Sequence, residues 1–224
     1  MQGIPLNERR RLGALLDDRP QTEVMAMIPQ FSQAETDNFV APPAKIPEAL
    51  GVLMFNMERG VNLPEIQEFL RDCPDIQPFD VILANELDDG CARSGNKNTA
   101  RELAQAFGLN YAWGLEFIEL VNDENAKGFH GNAVFSRWPI RRAGVIRLPE
   151  QYNWYFDRQK RIGGRLAVFA ELDVGGQPVG AVSIHLENRT HGEGRKAQMA
   201  AILEAVRKEL PDMPLILGGD LNTN

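Results

Sequence analysis

The sequence predicts an α/β fold in which packed sheets carry helices on their outer faces. Three observations predict it. Short apolar runs of strand length recur along the chain. In the first half, segments with apolar residues at helical spacing alternate with them. In the second half strands follow one another directly, and Gly175-Gly176 is a two-residue hairpin turn between two of them. Such strands and helices bury their apolar faces best as stacked layers.

Residues 1–50 stand apart. The stretch 29–47 holds four of the fourteen prolines and few long apolar runs, which predicts an N-terminal arm or linker. Upstream, Leu12, Leu15 and Leu16 allow one or two amphipathic turns. A domain over 51–224 follows. Val52-Leu53-Met54-Phe55 reads as a buried strand, and Asn62 as the cap of a helix with Ile66, Phe69 and Leu70 on one face. Residues 80–84 form a second buried strand. Residues 98–107 form a helix lined by Ala100, Leu103, Ala104 and Phe107, with Gly108 where a C-terminal cap belongs. Strands are expected at 111–120, 132–135, 140–146, 165–174 and 177–186. The helix at 195–210 carries Met199, Ile202, Leu203, Val206 and Leu210 on one face, and Pro211 and Pro214 close it. The strand from Leu215 comes last.

Composition narrows the class. A chain of 224 residues can bury a substantial core. Its 43% hydrophobic and 25% charged residues are ordinary for a soluble globular protein. No stretch approaches the roughly 18 apolar residues of a membrane span. Residues 1–11 lack the apolar segment of a secretory signal. The two cysteines, Cys73 and Cys91, have no metal-ligand spacing, which leaves a structural zinc site unsupported and fits a reducing, cytoplasmic setting. A net charge of −7 argues against sequence-independent grip on nucleic acid, though a local basic cleft stays compatible with it.

The chemistry-bearing residues gather at strand ends. Asn56 follows Phe55, and Glu86 and Asp88 follow Leu83-Ala84. His185 and Asn188 end the Val182 strand, and Asp220 and Asn222 end the last one. Strand ends of layered α/β folds are where ligands bind. Singly, each is more simply a turn former or helix cap. Together they offer two acids, amides and a histidine without cysteine, a set suited to oxygen-ligated Mg²⁺ or Mn²⁺ and a phosphate ester. Gly218 and Gly219, just before Asp220, are expected to let a ligand approach the backbone.

The order Phe55-Asn56, Asn85-Glu86-Leu87-Asp88, Gly131-Asn132-Ala133-Val134-Phe135-Ser136-Arg137, Ser183-Ile184-His185-Leu186-Glu187-Asn188 and Gly219-Asp220-Leu221-Asn222 resembles the endonuclease/exonuclease/phosphatase superfamily. That group includes pancreatic-type deoxyribonucleases, sphingomyelinases and inositol-phosphate phosphatases. The resemblance implies a four-layer sandwich, two packed mixed or antiparallel sheets flanked by helices. It implies a Mg²⁺-dependent (or Mn²⁺-dependent) hydrolase of phosphate esters using an activated water. Asn56 and Glu86 would form the metal site. Asp220 would orient or deprotonate the water, Asn222 would donate to phosphate oxygens, and His185 would contact the scissile phosphate. Asn188, Asn132 and Arg165 are the substrate-binding candidates, with Arg165 facing either phosphate or a nearby acid. Asp88 is placed either beneath Glu86 or in a turn. His130 and His191 are expected on the surface, and Trp113, Trp138 and Trp154 either stack on a base or pack internally. Segments 116–130 and 149–161 are expected to shape the pocket. The substrate is a phosphorylated small molecule, a lipid head group or nucleic acid. Family members carry a further late Ser-Asp-His motif with no counterpart here, so a C-terminally truncated chain lacking the last strand or strands is expected. The alternative is a non-catalytic binding module that retains the fold.

Overall fold

The computed structural model describes residues 1–223. Two sheets pack face to face. The first contains β1 (Ala34–Asp37), β2 (Val52–Arg59), β3 (Val81–Asp89), β4 (Asn110–Glu119), β5 (Phe129–Ser136) and β7 (Arg161–Gly163). Its order is β1-β4-β5-β3-β2, with β7 also paired to β4. The second contains β6 (Ile140–Arg147), β8 (Leu166–Val174), β9 (Gln177–His185) and β10 (Leu215–Asp220), in the order β10-β9-β8-β6. Among the described residues, only β2 with β3 and β9 with β10 pair in parallel.

The two-residue period of β3 shows how the layers form. Val81 and Leu83 point between the sheets, where they meet Val168, Ala170 and Ala181. Ile82 and Ala84 point the other way, into a second core with Leu70 of α3 (Leu63–Asp72) and Leu103 of α4 (Thr99–Phe107). Each of these two leucines is fully buried and contributes about 1.5–3 kcal/mol by leaving water. A third core lies under α5 (Gly192–Glu209), where Ile202 and Val206 cover Ala167, Val182 and Ile184 of the second sheet. The result is the expected four layers: helices, sheet, sheet, helix.

Local chemistry sets the element ends. Asn98 accepts the Arg101 N–H at 2.8 Å, and Gly108 closes α4 in the left-handed region as expected. Asn62 precedes α3 but makes no side-chain cap bond. Both residues of the Gly175-Gly176 turn have positive φ, as a tight hairpin requires. Leu203 is 42% exposed, so the buried stripe of α5 is narrower than the spacing predicts.

The N-terminal fifty residues depart from an extended arm. They form α1 (Leu6–Leu15), α2 (Gln21–Ala26) and β1, which adds to β4. Leu12, Leu16, Val24, Ile28 and Phe31 are buried in the helix-side core of the first sheet. Pro5, Pro20 and Pro29 stand at helix starts, where a missing N–H costs nothing. The longest stretch of this region without helix or strand is 38–51.

Candidate active site

Both parallel pairs end at the same place. Asn56 lies opposite Asn85 in β2–β3, and Asp220 opposite His185 in β9–β10. Asn85 joins the two sheets there. Its amide donates to the Ile184 carbonyl at 3.0 Å, and its oxygen accepts the Asp220 N–H at 2.9 Å. Ser183 adds a second tie, donating to the Ala84 carbonyl at 3.0 Å. Buried polar groups satisfied in this way fix one register between the layers.

Glu86 sits where the β3–β5 register breaks. Its φ is +57°, a conformation that costs a residue with a side chain roughly 1–2 kcal/mol. The Asn132 side-chain oxygen accepts its N–H at 3.2 Å and holds that turn. The break redirects the Glu86 carboxylate toward Asn56. The Asn56 amide donates to Glu86 Oε1 at 3.3 Å and to Asp220 Oδ2 at 3.1 Å, so one neutral group gathers both acids. These two acids stay partly open to solvent, with side chains 25% and 29% exposed.

Behind this rim the site is closed. His185 is buried, with Nδ1 3.1 Å from Glu116 Oε2 and Nε2 3.9 Å from Asp220 Oδ2. Arg165 lies against the same ring, 2.8 Å from Nε2, and contacts Glu116 Oε1 at 3.2 Å. Its other amino group donates to Asn188 at 3.2 Å. Glu116 is fully buried. Burial alone would raise its carboxyl, but His185 and then Arg165 hold it well below the usual carboxylate range. Burial likewise opposes the charge on Arg165, and Glu116 and Glu187 restore it, leaving the guanidinium above its ordinary value. His130 continues the chain of charges: Nε2 is 3.8 Å from Glu116, and Nδ1 is 2.8 Å from Asp88. Arg93 grips Asp88 with two bonds of 2.7 and 2.8 Å. Burial pushes the Asp88 carboxyl up, yet Arg93 and His130 bring it down to about 2.

The residues chosen from the sequence therefore fall into two sets. Asn56, Glu86, Asp220 and His185 converge directly. Asn188 joins through Arg165, Asn132 through the Glu86 backbone, and Asn222 through the Asp220 loop. Asn222 N–H donates to Asp220 Oδ1 at 3.0 Å, and its amide donates to the Leu186 carbonyl at 2.8 Å. The Asn132 amide nitrogen is buried without a hydrogen-bond partner among the described residues. Among those residues, no group of three or more His, Cys, Asp or Glu side chains is disposed to hold a metal ion.

Several expectations change. His130 is 2% exposed rather than on the surface, because Asp88 and Glu116 enclose it. Gly218 and Gly219 do not open the backbone to a ligand. A Cβ on Gly218 would overlap the Met54 side chain, and one on Gly219, whose φ is +139°, would overlap the Ile184 carbonyl oxygen. They admit neighbouring protein. Trp113, Trp138 and Trp154 are all buried as packing aromatics. Glu116 and Asn85 were missed as site residues. The available clue for Glu116 was one acid inside the otherwise apolar stretch of β4.

The family comparison agrees with the fold. The model of the Endonuclease/Exonuclease/phosphatase family matches residues 55–224. No curated protein matches the chain. Among solved structures, an endonuclease/exonuclease/phosphatase from Beutenbergia cavernae DSM 12333 aligns at 23% identity and TM-score 0.55, covering 76% of this chain and 47% of that one. The human Nocturnin catalytic domain with bound sulfate anion aligns at 20% identity and TM-score 0.55, covering 88% and 69%. A family protein from Leptotrichia buccalis C-1013-b aligns at 18% identity and TM-score 0.54, covering 79% and 69%. The chain thus spans about half the length of the first of these. With the fold, the strand-end motifs and a family match over most of the sequence in agreement, the chain belongs to the Endonuclease/Exonuclease/phosphatase family.

Proposed function

We propose that this chain is a divalent-metal-dependent phosphoesterase that hydrolyses a phosphodiester or phosphomonoester by in-line attack of water. One observation carries the proposal: the Asn56 amide draws together Glu86 and Asp220, beside His185 Nε2. Two partly exposed carboxylates offer oxygen and no sulfur, which fits a hard cation. The Asn56 amide turns its N–H to both acids and its oxygen to the Glu58 N–H at 3.0 Å, so that oxygen would have to swing round to join them. Glu86 and Asn56 would hold Mg²⁺ or Mn²⁺, which when bound supplies Lewis acidity to the phosphate oxygens and charge neutralisation to the leaving alkoxide.

The chain's own groups do the rest. Asp220 is placed to orient a water and take its proton, because its Oδ1 is tied to the Asn222 N–H and its Oδ2 faces the rim. His185, held by Glu116 and Arg165, places Nε2 on the Asp220 side of the site, 3.9 Å from Asp220 Oδ2, where it would approach a phosphate oxygen. Asn222 spends one amide hydrogen on Leu186 and keeps the other. Asn188 receives Arg165 on its oxygen, which leaves its amide hydrogens for substrate. The unpartnered Asn132 nitrogen adds a further donor. Donors fixed before substrate arrives stabilise charge that builds in the transition state. The substrate is a phosphorylated small molecule, a lipid head group or nucleic acid, and the net charge of −7 weighs against bulk nucleic acid.

The test is turnover of bis(p-nitrophenyl) phosphate and p-nitrophenyl phosphate with Mg²⁺ and with chelator. Metal-dependent hydrolysis should fall at least about 100-fold in Glu86→Gln and in Asp220→Asn. A folded chain with no turnover on either ester is instead a binding module that retains the fold.

A further inference from the structure

A cleft of about 500 Å³ opens beyond the strand ends that carry the site. Its lining includes Arg93, Asn122, Asn125, Arg158, Gln159 and Arg189. Three strands feed it. Arg93 lies just past β3, which carries Glu86. Asn122 and Asn125 follow β4, which carries Glu116. Arg189 is four residues past His185 of β9. The two segments expected from the sequence to shape a pocket, 116–130 and 149–161, meet in this one cleft.

Its charges divide into spent and unspent. Arg93 is committed to Asp88 and, at 3.0 Å, to Glu119. Asp157 is also on the wall, but its oxygens already accept the Tyr152 hydroxyl at 2.9 Å and the Gln159 N–H at 3.1 Å. Arg158 is exposed and makes no ion pair among the described residues. Arg189 is 58% exposed and reaches Asp157 only at 4.0 Å. Two guanidinium groups therefore face the cleft with most of their donors free. Guanidinium forks match phosphate oxygens in geometry and charge. The cleft lies beside the site: Arg189 directly follows Asn188, whose oxygen accepts from Arg165 next to the His185 ring, and Arg93 on its wall is tied inward through the buried contacts of Asp88, His130 and Glu116 to His185.

We propose that this cleft binds a second, non-scissile phosphate group of the substrate through Arg158 and Arg189, so that the preferred substrate carries at least two phosphates. The inference rests on the phosphoesterase proposal for the adjoining site. Two sources share this chemistry: a small bisphosphate and successive phosphates of a nucleic-acid strand.

The experiment is calorimetric titration of the full chain in EDTA, where turnover plays no part. The probes are fructose 1,6-bisphosphate and the 5′-phosphorylated dinucleotide pTpT. Saturable binding of at least one probe is expected, and the tighter one identifies the source. Arg158→Ser/Arg189→Ser should weaken it about tenfold or more, the loss expected for two charge-assisted contacts. Arg141→Ser/Arg142→Ser removes the same charge on β6 and should change affinity less than about twofold, as expected for rim charges acting only at long range. Circular dichroism checks that both variants fold. The proposal is overturned if neither probe binds, if the Arg158/Arg189 variant binds as before, or if both double variants weaken alike. A chain that binds a probe in this manner but hydrolyses no ester loses the phosphoesterase proposal and keeps the cleft.

Discussion

The rim of the site and the network behind it hold comparable charges by different means. At the rim, Glu86 and Asp220 are about a quarter exposed, at 25% and 29%, and a neutral amide from Asn56 gathers them. Behind it, Glu116, Asp88, His130, His185 and Arg165 are almost wholly buried, and each is held by an opposite charge or a ring nitrogen. Water pays most of the solvation of the rim acids, so they can exchange partners. The inner groups have no water to fall back on, and removing one strands another. The rim should therefore be sensitive in activity and tolerant in stability, and the network the reverse.

The largest effect on folding should come from Glu116→Gln. It leaves Arg165 without its nearest carboxylate and should cost about 3–5 kcal/mol in urea unfolding. A loss under about 1 kcal/mol would break the contrast, since that is the scale of exposed pairs.

Acid unfolding probes the far end of the network. The Asp88 carboxyl lies at about 2 instead of 3.8. A depressed acid adds stability above its unfolded value and loses it as pH falls through the folded one. Asp88 should thus contribute roughly 2 kcal/mol near neutrality, lost between about pH 4 and pH 2. Asp88→Asn should flatten that part of the stability curve, and an unchanged curve would remove Asp88 from the account.

Asn132→Ala should cost about 1–2 kcal/mol, because it leaves the strained Glu86 turn unbraced. Any ester hydrolysis should fall with it. The smallest change in stability is expected for Glu86→Gln, under about 1 kcal/mol, although it should show one of the largest losses of turnover. If stability and activity fell in parallel across all four variants, the rim and the network would be one structural unit.

Much of the rim was legible in sequence. Asn56, Glu86, His185 and Asp220 each follow an apolar strand, and strand ends in layered folds converge. The network was not. Glu116 lies mid-strand among apolar residues, and its partners lie 49 and 69 positions away in sequence. His130 lies in a polar, glycine-containing stretch (Lys127, Gly128, Gly131, Asn132) that reads as surface, while its neighbours in space are Asp88 and Glu116. The N-terminal fifty residues were misjudged for a related reason. Prolines look like breakers one at a time, but here three of them begin helices whose apolar residues, Leu12, Val24 and Phe31 among them, find a core supplied by other segments.

The sequence by itself determined the layers and the strand ends. Period-two and helical apolar spacing are local properties, and each forces a face to be buried. Only the tertiary structure decided which face met which. It placed Asn85 across the two sheets and committed Gly218 and Gly219 to close packing against Met54 and Ile184. It also matched the buried charges of the network, Glu116 with Arg165 and Asp88 with Arg93. Such pairings depend on distances between segments far apart in the chain, and no local pattern encodes them.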